Sequence, residues 1–186
     1  MKMTVLEIEY KNIRKITTLK LPFTKADGSV ISNNFIMMAN GTGKTTTMEL
    51  IKGLLDGTAA GWTASKVRSF APTLTEADRG EFSITVKFDD RQYKYFLSMN
   101  YKDGTVQVET SAPPKGREAG LRLPESIRGI FTPEFVRRFV FDGEQAATAY
   151  FFLISTGEYA DECIHPFTGS LAQCHICNFY HSLYFI

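Results

Sequence analysis

Apolar and polar residues alternate along much of the chain, and this alternation predicts antiparallel strands. In residues 81–89 every second side chain is apolar, which is the pattern of a half-buried strand. Residues 92–100 and 105–110 are also predicted strands, with Lys102-Asp103-Gly104 as the hairpin turn between them. The middle of the chain therefore predicts a three-stranded antiparallel meander.

Two further strands are predicted before this meander and one short helix after it. Residues 5–10 and 16–23 have strand character, and Lys11-Asn12 forms the predicted turn between them. The mixed, polar stretch 57–80 predicts an excursion over the surface. Residues 124–131 predict a short helix.

Residues 35–57 combine an apolar run, a glycine-rich turn and a helix, in that order. Phe35 to Ala39 predicts a buried strand, and the apolar residues after the turn recur at helical spacing until Gly57, which is placed to end the helix. Between them stands Asn40-Gly41-Thr42-Gly43-Lys44-Thr45-Thr46, which is close to the G-x-x-x-x-G-K-[ST] phosphate-binding loop. Met38 replaces the first glycine of that pattern. A site for a nucleoside triphosphate is predicted here.

The residue types of this loop suit the phosphates of ATP and a magnesium ion. Glycines carry no Cβ, so the backbone N–H groups from Gly41 to Thr46 can approach phosphate oxygens. Lys44 would supply a positive charge to the β/γ-phosphates, and the Thr45 hydroxyl a ligand for Mg²⁺. The candidate ATP-binding residues of the loop are Asn40, Gly41, Thr42, Gly43, Lys44, Thr45 and Thr46.

The sequence supplies only part of what ATP hydrolysis requires. A second acidic group must hold Mg²⁺, and another group must orient the attacking water. The one run that resembles a Walker B element is Phe139-Val140-Phe141-Asp142, which follows Arg138 and precedes Gly143, and no Leu-Ser-Gly-Gly type signature occurs. The sequence therefore predicts half of an active site.

Several of these motifs together resemble a known family. Asn12-x-Arg14, the 40–46 loop, the strand-rich middle and Phe139-Val140-Phe141-Asp142-Gly143-Glu144-Gln145 are similar to the N-terminal ATPase lobe of the SMC/RecN/SbcC coiled-coil ATPases. The likeness is greatest to the DndD branch, named for DNA sulfur modification, and to its anti-phage relatives. It covers residues 1–150 and implies an α/β fold: the N-terminal half, lobe I, of an ABC-type P-loop NTPase head, with an antiparallel β subdomain. The family's coiled coil and C-terminal lobe are absent from this sequence, so the head is incomplete.

The resemblance also implies roles for residues outside the loop. Arg14 matches an early arginine that reaches the nucleotide phosphates, with a surface arginine as the alternative. Asp142 stands directly before Gly143, where the family has its Q-loop glutamine, and would bind Mg²⁺ directly or through water. Gln145 would do so if the loop shifts, and a solvated turn is the further alternative. Lys66 and Arg68 could contact DNA phosphates or ATP, although a solvated loop is preferred.

The function that the resemblance implies is the ATP- and Mg²⁺-binding half of an SMC-like, DNA-associated ATPase in DNA repair, modification or anti-phage defence. Hydrolysis would need the C-terminal lobe and an ATP-dependent homodimer of heads, and the expected location is the cytoplasm without membrane contact. A self-sufficient small P-loop kinase or GTPase is one alternative, although it needs a Walker B Asp on a parallel neighbouring strand. A non-catalytic, nucleotide-gated binding module is the other.

Composition divides the chain near residue 150. The whole chain of 186 residues is 44% hydrophobic with a net charge of +1, which suits one ordinary domain and gives no global argument for nucleic acid. Residues 1–150 contain all 21 Lys and Arg and 17 acidic residues. Residues 151–186 contain no Lys or Arg, but they contain all three Cys and all three His. We therefore expect residues 151–186 to be an atypical tail outside the lobe. Zinc could use the spacing of Cys163, Cys174, Cys177 and His181, but a non-native extension is the preferred interpretation.

Overall fold

The computed structural model describes residues 3–31, 34–36, 43–111, 114, 116–129, 132–134, 136 and 183–185. In chain order its elements are β1 (Met3–Ile13), β2 (Ile16–Pro22), β3 (Asn34–Ile36), α1 (Lys44–Leu55), a 3₁₀ turn (Thr58–Gly61), α2 (Ala64–Arg68), β4 (Arg79–Phe88), β5 (Arg91–Asn100), β6 (Thr105–Ser111), β7 (Arg117–Ala119), α3 (Glu125–Arg128) and β8 (Leu183–Phe185).

Six of these strands form one antiparallel sheet in the order β2-β1-β4-β5-β6-β7. The predicted meander is confirmed, because β4, β5 and β6 are consecutive neighbours in this sheet. The short helix predicted at 124–131 is confirmed as α3. The described part of the chain is thus an antiparallel sheet with few helices.

The inner face of the sheet packs against helix α1 and forms the core. Ile8 and Tyr10 of β1 are buried there, and the Tyr10 ring meets Phe82 edge-on with 5.2 Å between the ring centroids. Leu50 and Leu54 of α1 are completely buried in the same cluster. Burial of a side chain of this size contributes about 1.5–3 kcal/mol, so these contacts hold the helix on the sheet.

The helix predicted after the glycine-rich turn is confirmed, together with its end. Helix α1 begins at Lys44 and ends at Leu55, and Gly57 follows with a φ of 73°. That left-handed conformation is easy for glycine and ends the helix. The glycine thus predicted the end of the helix correctly, whereas the helix begins at Lys44, slightly earlier than the expected start after the Lys-Thr pair.

The predicted surface excursion at 57–80 is wrong in part, because it contributes side chains to the core. Ala59, Val67 and Phe70 are completely buried. The two helical segments here are only four and five residues long, too short for apolar spacing to show. Only packing against α1 and the sheet decides which of their side chains are buried.

The turn between the first two strands lies at Arg14-Lys15 and not at Lys11-Asn12 as predicted. Strand β1 continues to Ile13, which pairs with Ile16 across a two-residue turn. Asn12 suggested the turn, but its φ of 51° is accommodated within the strand. Asparagine tolerates this conformation better than most residues do, so it marks a turn only loosely.

The outer face of the sheet carries a cluster of paired charges. The Lys20 ammonium lies 2.7 Å from Glu7 and 3.1 Å from Glu9. Lys94 also hydrogen-bonds Glu9 from β5. The hydrogen bond from Lys94 and, to a smaller extent, that from Lys20 lower the pKa of Glu9 from 4.5 to about 2. The face is therefore polar but largely neutralised by its own pairs.

Glu9→Gln is expected to destabilise the protein at neutral pH and to have little effect in acid. The folded pKa of Glu9 is depressed, so its contribution is complete above about pH 4.5 and is lost as the pH falls to about 2. We expect a loss of about 1 kcal/mol at pH 7, because exposed pairs contribute little individually but more in a network. Urea unfolding from pH 7 to pH 2 measures this, with Glu76→Gln in an exposed loop as the control. A constant difference across that range would contradict the prediction.

A separate parallel ladder joins β3 to β8, near the end of the predicted tail. The pairs are Asn34 with Leu183, Phe35 with Tyr184 and Ile36 with Phe185. Three residues of the tail thus pair with the strand that precedes the candidate loop. The four Cys and His residues considered for zinc lie outside the described residues, and the division at residue 150 stays a prediction.

The described residues offer neither a cluster of metal ligands nor a membrane-spanning helix. They contain no group of three or more His, Cys, Asp or Glu side chains placed to hold a metal ion. No helix among them has the length and apolar character needed to cross a membrane.

Candidate functional site

Helix α1 begins with a backbone geometry that glycine adopts far more readily than other residues. Gly43, the N-cap residue, has a φ of 120° and a ψ of 14°. The Thr47 N–H donates to the Gly43 carbonyl at 2.8 Å and closes the first turn. Gly43 offers no capping side chain, and the first turn contains no acidic residue. A helix start of this kind favours an anion, through its backbone N–H groups and the helix dipole.

The four residues from Lys44 to Thr47, in the first turn of α1, differ in their exposure to solvent. Lys44 is half-buried and Thr45 is exposed, whereas Thr46 and Thr47 are buried. The two residues predicted to serve phosphate and Mg²⁺ are thus accessible, and the next two anchor the helix. The predicted site residues that lie outside the described residues are Asn40, Gly41, Thr42, Asp142 and Gln145.

A chain of two hydrogen bonds ties the sheet to the start of this helix. The Tyr10 hydroxyl donates to Thr47 Oγ1 at 3.0 Å, and Thr47 Oγ1 donates to the Gly43 carbonyl at 2.8 Å. Burial raises the pKa of Tyr10 to about 12, so the phenol keeps its proton and remains a donor at neutral pH. Strand β1 therefore fixes the position of the last residue of the glycine-rich turn.

Arg14 lies in the turn between β1 and β2 and has an uncommon backbone conformation. Its φ is 48°, a left-handed value that few non-glycine residues adopt. The Arg14 N–H donates to the Phe70 carbonyl at 2.9 Å, and the Arg14 carbonyl accepts from the Thr73 N–H at 3.0 Å. The segment after α2 thus holds the turn in place, and contacts of this kind allow an uncommon backbone conformation to persist.

The Arg14 side chain contacts helix α1 at its first turn. Nη1 donates to Thr46 Oγ1 at 2.5 Å, and Nε donates to the Ser69 carbonyl at 3.2 Å. Nη2 lies 3.9 Å from Glu49 Oε2, a long ion pair. The side chain is 38% exposed, and a guanidinium has five N–H donors, so these contacts leave capacity for a further oxygen. The structure brings Arg14 to the candidate loop, and its contact with a nucleotide stays a prediction.

Glu49 and Lys66 complete a charged group with Arg14, which we call the Glu49 cluster (Arg14, Glu49 and Lys66). The Lys66 ammonium lies 2.7 Å from Glu49 Oε1. Both cations also lie over the buried ring of Phe70, with Arg14 Cζ at 5.2 Å and Lys66 Nζ at 5.1 Å from its centroid. Trp62 stacks on that ring at 5.1 Å. The cluster therefore rests on a fixed aromatic surface that attracts cations.

Arg68, the second basic residue considered in this region, hydrogen-bonds backbone carbonyl groups of a neighbouring turn. Its Nε donates to the Tyr101 carbonyl and its Nη2 to the Lys102 carbonyl, both at 3.2 Å. These bonds tie α2 to the turn between β5 and β6. Neither contact involves the candidate loop.

Sequence reasoning missed four residues that shape this site: Tyr10, Thr47, Glu49 and Phe70. Tyr10 and Phe70 have the character of ordinary core residues, and nothing in the sequence relates them to the loop. Glu49 offered one signal, since it stands three residues after Thr46 on a predicted helix and so shares its face. The pairing of Glu49 with Lys66 spans 17 residues and has no sequence signature.

The described part of the site fits the phosphate end of a nucleotide with Mg²⁺. The helix start offers backbone N–H groups without a competing acid, and Lys44 and Arg14 supply positive charge nearby. The exposed hydroxyl of Thr45 is the type of oxygen ligand that Mg²⁺ accepts. Asp142 and Gln145, the two alternatives that the sequence offers for a further Mg²⁺ ligand, lie outside the described residues.

Comparison with solved structures gives a partial likeness, whereas two comparisons by sequence give none. No family model and no curated protein matches the chain. A solved structure of the recombination mediator protein RecF-ATPrS in the RecFOR pathway is similar, with a TM-score of 0.44 and 21% identity. The match covers 59% of this chain and 27% of that chain. A likeness of this size defines neither a family nor a function.

Proposed function

We propose that this chain binds ATP with Mg²⁺ at the start of helix α1, as the N-terminal half of an SMC-like, DNA-associated ATPase. The observation that carries the proposal is Gly43, with a φ of 120°, followed by Lys44 and Thr45 at a helix start that has no acidic residue. Strand β1 holds this helix start through Tyr10, so its N–H groups are oriented before a ligand arrives. The placing near the DndD branch, in DNA repair, modification or anti-phage defence, rests on the sequence motifs alone.

Each residue of the proposed site has a separate task. The glycines allow close approach of the backbone, and the Lys44 ammonium neutralises charge on the β/γ-phosphates. The Thr45 hydroxyl would hold Mg²⁺, which when bound polarises the phosphoryl oxygens. Thr46 accepts a hydrogen bond from Arg14 and so orients the guanidinium for a phosphate oxygen. These tasks bind and orient a nucleotide but do not supply a group that activates water.

The proposed site is half of a complete ATPase site. A C-terminal ATPase lobe would add the signature, the Walker B carboxylate and the catalytic Glu, and a second head would close the site when ATP binds. DNA is the proposed partner of the complete protein. This chain alone should therefore bind ATP weakly and turn it over negligibly.

The decisive experiment measures ATP binding by calorimetry with and without Mg²⁺, and hydrolysis before and after a C-terminal ATPase lobe is added. Binding without turnover, followed by turnover when the lobe is present, supports the proposal. Steady turnover by the purified monomer would instead indicate a self-sufficient kinase- or GTPase-like enzyme. Binding that never leads to turnover would indicate a nucleotide-gated binding module.

Asp142→Ala is expected to weaken Mg²⁺-dependent ATP binding more than Mg²⁺-free binding, because the proposed role of Asp142 passes through the metal. Gln145→Ala should have a smaller effect under the same conditions. The two variants are matched, since they lie three residues apart in one motif. The opposite ranking would assign the Q-loop role to Gln145.

A further inference from the structure

We propose that Lys66 is a positioning residue that neutralises Glu49 and thereby keeps Arg14 directed at Thr46 and the phosphate site. The inference rests on the proposed function, because it assigns Glu49 and Lys66 to the control of the same nucleotide site. Lys66 lies on helix α2, whereas Arg14 lies in a sheet turn. The nucleotide affinity would thus depend on a residue that belongs neither to the loop nor to helix α1.

Glu49 is shared unequally between the two cations. Its Oε1 lies 2.7 Å from the Lys66 ammonium, and its Oε2 lies 3.9 Å from Arg14 Nη2. A full pair between arginine and a carboxylate is bidentate, with two N–O distances of about 2.8 Å. Arg14 instead makes its shortest side-chain contact, 2.5 Å, with Thr46 Oγ1. The carboxylate is therefore engaged mainly by lysine, and the guanidinium remains directed at the first turn of α1.

Neighbouring residues hold the Lys66 ammonium close to the Glu49 carboxylate. The Thr63 side chain caps α2 by accepting from the Lys66 N–H at 3.3 Å, which fixes the backbone. The ring of Phe70 lies 5.1 Å and that of Trp62 6.0 Å from the ammonium. The Lys66 side chain is 36% exposed and that of Glu49 is 34% exposed, so both remain accessible to solvent and salt.

Loss of the Lys66 charge would leave Glu49 with Arg14 as its nearest described cation. A guanidinium prefers the bidentate geometry that a free carboxylate offers. Glu49 is three residues beyond Thr46 along α1, about 4.5 Å further from the helix start. Capture by Glu49 would draw the guanidinium away from Thr46, and the proposed phosphate contact of Arg14 would weaken.

The test measures the affinity of the whole chain for MgATP in four variants: Lys66→Gln, Glu49→Gln, the double variant, and Lys66→Arg. We expect Lys66→Gln to bind about three- to tenfold more weakly, because a charge-assisted contact is misplaced but not removed. Glu49→Gln should equal or exceed the wild type, and the double variant should return to within about twofold of it. Lys66→Arg keeps the charge and should resemble the wild type.

A second readout needs no nucleotide. The Nε–Hε NMR signal of Arg14 should shift in Lys66→Gln and return in the double variant, because the guanidinium changes partner and then loses the new one. Thermal unfolding identifies a variant that fails to fold. If Lys66→Gln does not fold, Glu49→Gln decides: weaker binding than the wild type would overturn the inference.

The outcomes of these measurements separate this inference from the proposed function. If the wild type binds ATP and Arg14→Ala weakens binding, but Lys66→Gln equals the wild type, only the inference fails. A double variant as weak as Lys66→Gln also overturns it. If wild type and Lys44→Ala bind ATP equally poorly, the proposed function fails, and the Arg14 NMR signal alone then decides whether Lys66 positions Arg14.

Discussion

Lys44→Ala is expected to weaken MgATP binding about ten- to a hundredfold, the largest effect predicted for any side chain in this protein. The substitution removes a charge-assisted contact with the β/γ-phosphates, which contributes about 1.5–3 kcal/mol. Calorimetry with ATP measures the affinity, and circular dichroism shows whether the fold is retained. Alanine is a good helix former, so helix α1 should remain intact.

Lys52→Ala is the matched control for this prediction. Lys52 lies in the last turn of the same helix, where a positive charge interacts with the opposite end of the helix dipole. Its loss removes the same charge from the molecule but leaves the helix start unchanged, so the affinity should stay within about twofold. Equal losses in the two variants would mean that ATP responds to net charge and not to the loop.

Gly43→Ala is expected to have the second largest effect, on both stability and ATP binding. The residue has a φ of 120°, which an alanine Cβ makes unfavourable by about 1–3 kcal/mol. The start of α1 must then shift, and the Gly43 carbonyl would move relative to Thr47, which links it to Tyr10. We expect a loss of stability of about that size in urea unfolding, and ATP affinity reduced about tenfold or more.

Gly61→Ala provides the control for a glycine substitution as such. A Cβ at Gly61 would meet no atom within 4 Å, and the residue does not have a positive φ. The free energy of unfolding of the Gly61→Ala variant should differ from that of the wild type by less than about 0.5 kcal/mol. If Gly43→Ala is as stable and binds ATP as well as Gly61→Ala, the strained glycine is not needed, and the main observation behind the proposed function is lost.

The elements with a regular apolar pattern were predicted from the sequence nearly to the residue. In helix α1 and the strands β4 to β6 the apolar residues recur with a helical or a two-residue period, so the spacing of the side chains predicts the type of element. The two-residue turn at Arg14-Lys15 was misplaced, because its position depends on backbone bonds to Phe70 and Thr73. The short strand β7 was also missed, since three residues are too few to show alternation.

The composition of residues 151–186 distinguishes them from the rest of the chain but does not predict their pairing. The lack of Lys and Arg marks residues 151–186 as different from the rest of the chain. Composition cannot say which part of a segment pairs with another, and the structure pairs residues 183–185 with β3. That pairing depends on backbone groups brought together in space, which no residue type specifies.

The candidate site divides in the same way. The sequence alone predicts a phosphate-binding loop from Asn40 to Thr46, because phosphate binding at a helix start needs glycines, a lysine and a hydroxyl in fixed order. It also predicted the helix that follows, which the structure confirms. Only the tertiary structure brought Tyr10 to Thr47, and Arg14 to Thr46 and Glu49, from positions more than thirty residues apart. Local motifs are encoded by neighbouring residues, whereas the side chains that hold them in place come from wherever the sheet and helix pack together.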